Sequence, residues 1–171
     1  ERIESSTITL SFVGDLILLE DQVKAGWSRH KNGYDYSPVF QYTRRYLQRA
    51  DYAVGVLEVP LAGETAGYST SNYDDGIPLS LNAPDEWAVA IRDAGIDLVT
   101  TANNHCFDKG TEGLKRTCRV LRKTGIDQVG TSLTGESNGR VKIKTVEGVK
   151  LAFLAYTFGF NERPSMTSDI A

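Results

Sequence analysis

The segment GIDLVTTANNHCFDKGTEGL, residues 95–114, joins a strand pattern to a helix pattern through a polar loop. Residues 95–101 are apolar and rich in β-branched side chains, which is typical of a short buried strand. Apolar side chains then recur at positions i, i+4 and i+7, which predicts a helix that opens at Thr111. These side chains are Leu114, Cys118 and Leu121. Because ligands bind at the carboxyl ends of the strands in open α/β sheets, the loop at 102–110 is predicted to lie at a ligand-binding edge.

Other parts of the chain repeat this order of elements. An alternating strand pattern occurs at residues 7–13, and a buried-strand pattern occurs at residues 52–57. Capping residues and apolar spacing predict a helix of about three turns at 37–51 and a second helix at 83–94. The segment 94–101 is echoed at 124–131, and two such units of helix, glycine and strand are what a parallel sheet with right-handed crossovers produces.

The last part of the chain has a different pattern. Residues 141–145 alternate between apolar and polar, a Glu-Gly turn follows, and residues 149–156 are apolar again, which predicts an antiparallel hairpin. Residues 62–82 have no periodicity, and a loop of this length is more often functional or disordered than structural. We therefore predict an α/β fold, a mostly parallel sheet of β-α units followed by a β-hairpin, in a single domain over residues 1–171.

The composition narrows the possible partners. The chain has 40% hydrophobic and 24% charged residues, which is ordinary for a globular protein. A net charge of -3 without a Lys/Arg cluster disfavours nucleic acid. No run reaches the roughly 20 apolar residues of a membrane span, so none is predicted. The chain starts at Glu1 rather than Met, which is compatible with a removed signal peptide or tether. Cys106 and Cys118 are expected to be free thiols.

Three predicted strands end in side chains that can bind metal ions. Asp15 follows the first strand, Glu58 follows the second, and Asn104 and His105 follow the third. If these strands are neighbours in one sheet, their ends share one crevice. Such donors suit Mn²⁺, Fe or Zn²⁺, and Mg²⁺ fits if the imidazole stays outside the coordination sphere. The predicted chemistry is phosphoester hydrolysis, in which a metal lowers the pKa of a bound water and a histidine protonates the leaving group.

Each of these residues also has a simpler interpretation. Asp15 could satisfy the amides of a turn, Glu58 could be a solvated charge, and two consecutive asparagines could cap the next turn. His30, in a loop flanked by Lys and Arg, is expected at the surface. A doubly wound nucleotide-binding domain is disfavoured, since no Gly-x-Gly-x-x-Gly turn follows the first strand.

Three longer motifs at the strand ends are more specific. They are VGD at 13–15, LEVPL at 57–61 and ANNHCFDKGTEGL at 102–114. Together with Thr117, Leu121, Gly130 and the hairpin, they resemble the CapA-like family of poly-γ-glutamate capsule synthesis proteins. That family shares the calcineurin-like metallophosphoesterase architecture. The resemblance covers nearly the whole chain, and it implies the N-terminal part of a metallophosphoesterase-like α/β sandwich.

The resemblance also implies a role for each matching residue. Asp15, Glu58 and Asn104 would be metal-site residues, and His105 would meet the substrate in a catalytic pair with Asp108. Asn103 and Asp108 would shape the loop through their side chains. Three glycines would shape it because they have no side chain, and these are Gly14, Gly110 and Gly113. Gly110 and Gly113 are expected to allow close approach of the helix.

Two positions depart from the family pattern. Val56 stands where the family usually has Asn, which removes a polar group from the site. No histidine follows His105, so the family's later His-x-Gly-x-Glu segment is absent. We therefore expect the N-terminal portion of a longer CapA-like domain. A divalent metal is expected in the full-length protein, with weak or absent binding here, and an exposed sheet edge is expected to favour self-association.

The resemblance leads to two functional hypotheses. In the first, the parent protein is an extracytoplasmic, cell-envelope protein of capsule or poly-γ-glutamate metabolism, tethered through a removed N-terminal segment, that hydrolyses a phosphoester or related bond. Its substrate would be an anionic polymer or a phosphoester. In the second, the protein is a non-enzymatic scaffold that binds polyanionic polymer or other capsule-synthesis proteins.

Overall fold

The computed structural model describes residues 7–133 and 141–161. The strands are β1 (Leu10–Asp15), β2 (Trp27–Ser28), β3 (Gly33–Tyr34), β4 (Tyr52–Val56), β5 (Leu98–Thr100), β6 (Asp127–Val129), β7 (Lys142–Val146) and β8 (Val149–Phe153). The α-helices are α1 (Glu20–Ala25), α2 (Arg44–Leu47), α3 (Glu86–Ala94) and α4 (Gly110–Thr124). In these residues no helix is long and apolar enough to cross a membrane.

Four strands form a parallel sheet in the order β1-β4-β5-β6. The register aligns their carboxyl ends, because Asp15 lies beside Val56, Val56 beside Thr100, and Thr100 beside Val129. The alignment continues past the strands, where the Leu57 amide donates to the Thr100 carbonyl at 2.9 Å. The loops that follow β1, β4 and β5 therefore leave the sheet at one edge.

The two faces of the sheet are covered by different elements. Alternate side chains of a strand point to opposite faces, and Ala53 and Val99 join the core with the helices. The fully buried members of that core include Leu61, Leu81, Ile91, Val99 and Leu121. On the other face, Tyr52 and Val54 pack against the antiparallel hairpin β7–β8. The rings of Tyr52 and Phe153 stack with centroids 5.5 Å apart. The predicted α/β class, parallel sheet and separate hairpin are confirmed.

The expected helix at 37–51 is broken into two turns. A 3₁₀ turn spans Ser37–Phe40, and α2 spans only Arg44–Leu47. Between them the Thr43 hydroxyl donates to the Phe40 carbonyl at 3.4 Å, a local bond that competes with the helical ladder. The Phe40 ring stacks on Trp87 with centroids 5.4 Å apart, which fixes one end of the segment in the core. Core packing, rather than the helical spacing of the apolar residues, therefore determines the conformation of this segment.

Residues 26–36, which include the expected loop around His30, contain the small hairpin β2–β3, and α1 precedes this hairpin. The rings of Trp27 and Tyr34 meet edge to face with centroids 5.3 Å apart. His30, in the turn of this hairpin, is exposed as expected. Cys106 and Cys118 are free thiols, also as expected.

The long segment at 62–82 is held in place by Asn82, which is fully buried. The Asn82 side chain accepts from the Ala62 amide at 2.7 Å and donates to the carbonyls of Gly63 and Gly67 at 2.8 and 2.9 Å. Buried polar groups need such partners. The Asn82 side chain thus joins the end of this segment to its beginning. The preceding residue, Leu81, contacts the histidine loop described below.

Candidate functional site

The edge of the sheet brings two carboxylates together. Asp15 ends β1 beside Val56, the last residue of β4, and Glu58 follows Val56 by two residues. Asp15 is exposed and Glu58 is half-buried. Burial, the charge of Asp15 and a hydrogen bond with Asp15 together raise the pKa of Glu58 above its ordinary value. Two carboxylates this close disfavour simultaneous ionisation unless a proton or a cation lies between them.

His105 and Asp108 form a buried pair in the loop after β5. The Nδ1 atom of His105 lies 2.7 Å from Oδ2 of Asp108, and their side chains are 6% and 1% exposed. The same carboxylate oxygen accepts from the Leu81 amide at 2.8 Å. An ionised carboxylate only accepts hydrogen bonds, so His105 donates through Nδ1. This leaves Nε2 as the ring nitrogen available for chemistry.

The charge state of His105 follows from its neighbours. Burial lowers the pKa of the imidazole, but the hydrogen bond with Asp108 and the charges of Asp108 and Glu58 outweigh it, so the pKa is raised. The dependence on Glu58 shows that the acid pair and the histidine pair influence each other electrostatically. The site therefore combines an acid pair with a histidine whose pKa is raised by its acidic neighbours.

Asn103 ties the histidine loop to the neighbouring strand. Its side chain donates to the Leu57 carbonyl at 2.8 Å and accepts from the His105 amide at 3.0 Å. Leu57 is adjacent to Glu58 in the chain. One side chain thus fixes the spacing between the segment that carries the acid and the segment that carries the imidazole.

The glycines of the loop act in different ways. A Cβ at Gly113 would lie 2.6 Å from the Lys109 Cβ and 3.2 Å from the Ala62 Cβ, so this glycine permits a close approach. A Cβ at Gly110 would contact nothing within 4 Å, and its requirement is instead the φ of +62° at the helix start. The expectation of close approach is therefore wrong for Gly110. Gly14 also has open space and lies where the register of β1 shifts.

Asn104 is half-buried at the same edge and pairs with a residue that the sequence analysis did not single out. The side-chain nitrogen of Asn104 lies 3.3 Å from Oδ1 of Asn161. The backbone amide of Asn161 donates to the backbone carbonyl of Asn104 at 3.0 Å. Apolar residues occupy every second position from 154 to 160, which is typical of an extended segment and is offset by one position from the apolar residues 149, 151 and 153 of β8. Asn161 thus ends an extended segment, as Asp15 ends β1, and that signal was available in the sequence.

The donor set at this edge fits a divalent cation held by the acid pair. Hard carboxylate oxygens suit such ions. The side-chain oxygen of Asn104 is the further candidate ligand, since the side-chain nitrogen of Asn104 faces Asn161. The described residues contain no group of three or more His, Cys, Asp and Glu side chains placed to hold a metal. His105 is held by Asp108 through Nδ1. The side chains that could bind a divalent cation are therefore Asp15, Glu58 and Asn104, and the imidazole of His105 is not counted among the ligands.

Comparison with known proteins identifies the family. Residues 9–170 match the family described as bacterial capsule synthesis protein PGA_cap. The chain is 30% identical over 158 residues to the capsule biosynthesis protein CapA of Bacillus anthracis, and 28% identical over 151 residues to the PGA biosynthesis protein CapA of Bacillus subtilis (strain 168). These matches cover 92% and 88% of this chain but 36% and 37% of the relatives. The chain thus spans about a third of the length of the curated relatives it matches, and it belongs to the bacterial capsule synthesis protein PGA_cap family.

Proposed function

We propose that this chain carries the metal-binding and proton-donating edge of a metal-dependent phosphoester hydrolase that acts in capsule or poly-γ-glutamate synthesis. The observation that carries the proposal is the meeting of the Asp15–Glu58 acid pair with the His105–Asp108 pair at one sheet edge. Capsule synthesis follows from the family, which indicates a role at the cell envelope. The hydrolytic reaction and an extracytoplasmic position are the finer parts of the proposal.

The acid pair would hold the cation. Asp15 and Glu58 supply carboxylate oxygens, and Asn104 supplies a neutral amide oxygen. A divalent cation there (Mn²⁺, Fe, Zn²⁺ or Mg²⁺) would polarise a phosphoryl oxygen and lower the pKa of a bound water. Its positive charge would also favour the ionised form of Glu58, whose pKa is raised by burial and by the charge of Asp15. Val56 adds no donor of its own where the family usually has Asn.

His105 would donate a proton to the leaving oxygen. Asp108 holds Nδ1, so the proton that leaves is the one on Nε2. The raised pKa of His105 keeps a larger fraction of the imidazole protonated near neutral pH. General acids of this kind contribute about 10²–10⁴ in rate. Asp108 is a positioning residue in this scheme, because it contacts the imidazole and the Leu81 amide.

Metal analysis of the protein at its natural length tests this proposal. We expect stoichiometric divalent metal and Mn²⁺-dependent hydrolysis of bis(p-nitrophenyl) phosphate. Asp15→Asn and Glu58→Gln should lose the metal, whereas His105→Ala should keep the metal and lose about 10²-fold or more in kcat. Asp93→Asn is the matched control, since Asp93 is an exposed carboxylate on α3 that pairs with Arg92. Metal binding that survives both acid substitutions would contradict the assignment.

The non-enzymatic scaffold is the second candidate, and the exposed apolar side chains after β8 favour it. Leu154, Tyr156 and Phe158 are 53%, 78% and 111% exposed. Large apolar patches at a protein surface mark interaction sites. A net charge of -3 favours a protein partner over a polyanion. A purified protein that is free of metal, inactive on phosphoesters and still retained by immobilised capsule-synthesis proteins would support the scaffold over the hydrolase.

A further inference from the structure

The segment that follows β8 runs to the histidine loop and docks on it. Residues 154–161 alternate between exposed and half-buried positions up to the exposed Asn161. The Phe160 ring meets Phe107 edge to face, with centroids 4.8 Å apart. The Thr157 hydroxyl donates to the Gly159 carbonyl at 2.9 Å, which bends the chain locally. The segment therefore places its last residue, Asn161, against the loop that carries His105.

The Asn161 side chain lies on the imidazole of His105. Its amide nitrogen is 3.3 Å from both Nδ1 and Nε2. An atom in the ring plane and equidistant from both nitrogens would overlap Cε1, so the amide lies against the face of the ring. Nδ1 is already bonded to Asp108 at 2.7 Å. The amide N–H groups of Asn161 therefore have a weak partner, and a substrate oxygen would be a better acceptor.

Exposure differs sharply between these two residues. Asn161 is exposed, whereas His105 is 5% exposed. The backbone of Asn161 is also anchored, since its amide donates to the Asn104 carbonyl at 3.0 Å. An exposed amide thus covers a buried imidazole and contacts a metal-site candidate at the same time. A substrate that takes a proton from His105 must meet or move this amide.

We infer that Asn161 is a positioning residue of the site, whose side-chain amide covers and orients the His105 imidazole and is then available to hydrogen-bond a phosphoryl oxygen of the substrate. The catalytic part of this inference rests on the proposed hydrolase. The cover over His105 stands on the contacts alone. The two parts therefore need separate measurements.

The cover is tested by modification with diethyl pyrocarbonate, which reacts with accessible neutral imidazoles. The chain has two histidines, and the exposed His30 serves as the internal standard. We expect His105 to react slowly in the unsubstituted protein at about pH 8, and the rate is compared between variants at the same pH because the pKa of His105 is raised. Asn161→Ala should raise its rate about tenfold, which corresponds to about 1.4 kcal/mol, because the side chain that covers the ring is removed, and the rate of His30 should not change.

Thr157→Ala is the matched control, because it removes the Thr157–Gly159 bond of the same segment without touching His105. We expect His105 to stay protected in this variant. Equal His105 rates in the unsubstituted protein and Asn161→Ala would overturn the inference. So would equal deprotection by both substitutions, since the segment and not the amide would then cover the ring. Unfolding midpoints of both variants identify any variant that fails to fold.

The substrate contact is tested by steady-state kinetics on bis(p-nitrophenyl) phosphate with the protein at its natural length. Asn161→Ala should raise KM about tenfold, and Asn161→Asp should raise it further because it opposes an anion. A merely structural role would lower the active fraction and so kcat, with KM unchanged, and that result would overturn the contact. Absence of metal and activity in the unsubstituted protein would instead refute the hydrolase, while the protection of His105 would still report the cover.

Discussion

Replacement of Asn82 by Ala tests whether one buried amide holds the long loop next to the site. The Asn82 side chain makes three hydrogen bonds, to Ala62, Gly63 and Gly67, and none of its surface is exposed. Its neighbour Leu81 donates to Asp108 at 2.8 Å, so the loop also supports the histidine pair. The loss of this side chain should therefore weaken both the fold and the site.

The magnitude follows from the groups left without partners. Asn82→Ala leaves the amide of Ala62 and the carbonyls of Gly63 and Gly67 without their hydrogen-bond partner. Ala62 and Gly63 are buried, whereas Gly67 is exposed and its carbonyl can turn to water. Each buried orphan costs about 1–3 kcal/mol, while the alanine avoids the cost of burying an amide. We expect a net loss of about 3 kcal/mol, which most domains of this size survive.

Urea unfolding provides the assay. Trp87 is 3% exposed and packs in the core, so its fluorescence reports global unfolding. With an m value of about 1–3 kcal/mol/M, the midpoint should fall by about 1–3 M. Asn72→Ala is the matched control in the same loop, because Asn72 is half-exposed and its Oδ1 accepts from the Asp21 amide at 3.2 Å. It should lose about 1 kcal/mol or less. Equal losses in the two variants would refute the role given to Asn82.

Three further changes have definite expected outcomes. Burial would raise the pKa of Asp127, but hydrogen bonds with two lysines of β7 and with Tyr52 outweigh it and lower the pKa. Ionised Asp127 therefore stabilises the fold above the pKa that it has in the unfolded chain, and this stabilisation is lost as the pH falls through the lowered pKa of the folded state. Asp127→Asn should therefore flatten the fall of the melting temperature below about pH 4 and cost about 1 kcal/mol at pH 7. Gly130→Ala should destabilise by about 2 kcal/mol or more in urea unfolding, because φ is +112° and the new Cβ would lie 2.7 Å from the Ala102 Cβ. Phe158→Ser should change the unfolding free energy by less than about 0.5 kcal/mol and should lower any self-association seen by sedimentation, because the ring is fully exposed.

Elements whose signals are local could be predicted from the sequence. Helices α3 and α4 follow from apolar stripes that the structure buries, including Trp87 and Leu121. Strands β4 and β5 follow from short apolar runs with glycine or proline beside them. The segment at 37–51 has the same kind of helical spacing, but the contact of Phe40 with Trp87 bridges 47 positions and is not visible in a local pattern. Tertiary packing therefore sets the limit of this prediction.

The site divides in the same way. The positions of Asp15, Glu58 and His105 follow from one rule, that ligands lie at strand ends. The hydrogen bonds that orient them do not follow from it. Leu81 and Asp108 are 27 positions apart, and Asn161 and His105 are 56 positions apart. Such contacts depend on the paths of two loops across the sheet edge, and no periodicity in the chain encodes them.

The charge balance at the edge is the strongest physical reason to assign it a function. Among the described residues, neither Asp15 nor Glu58 has an ion pair with Lys or Arg, although the surface elsewhere pairs acids with bases, as at Asp127. A fold gains nothing by placing two acids side by side, and burial together with the neighbouring Asp15 raises the pKa of Glu58. Local conflicts of this kind are expected where a site serves a ligand rather than the fold. A cation would turn the repulsion between the acids into attraction, and substitution of either acid should then stabilise the metal-free chain while it removes metal binding.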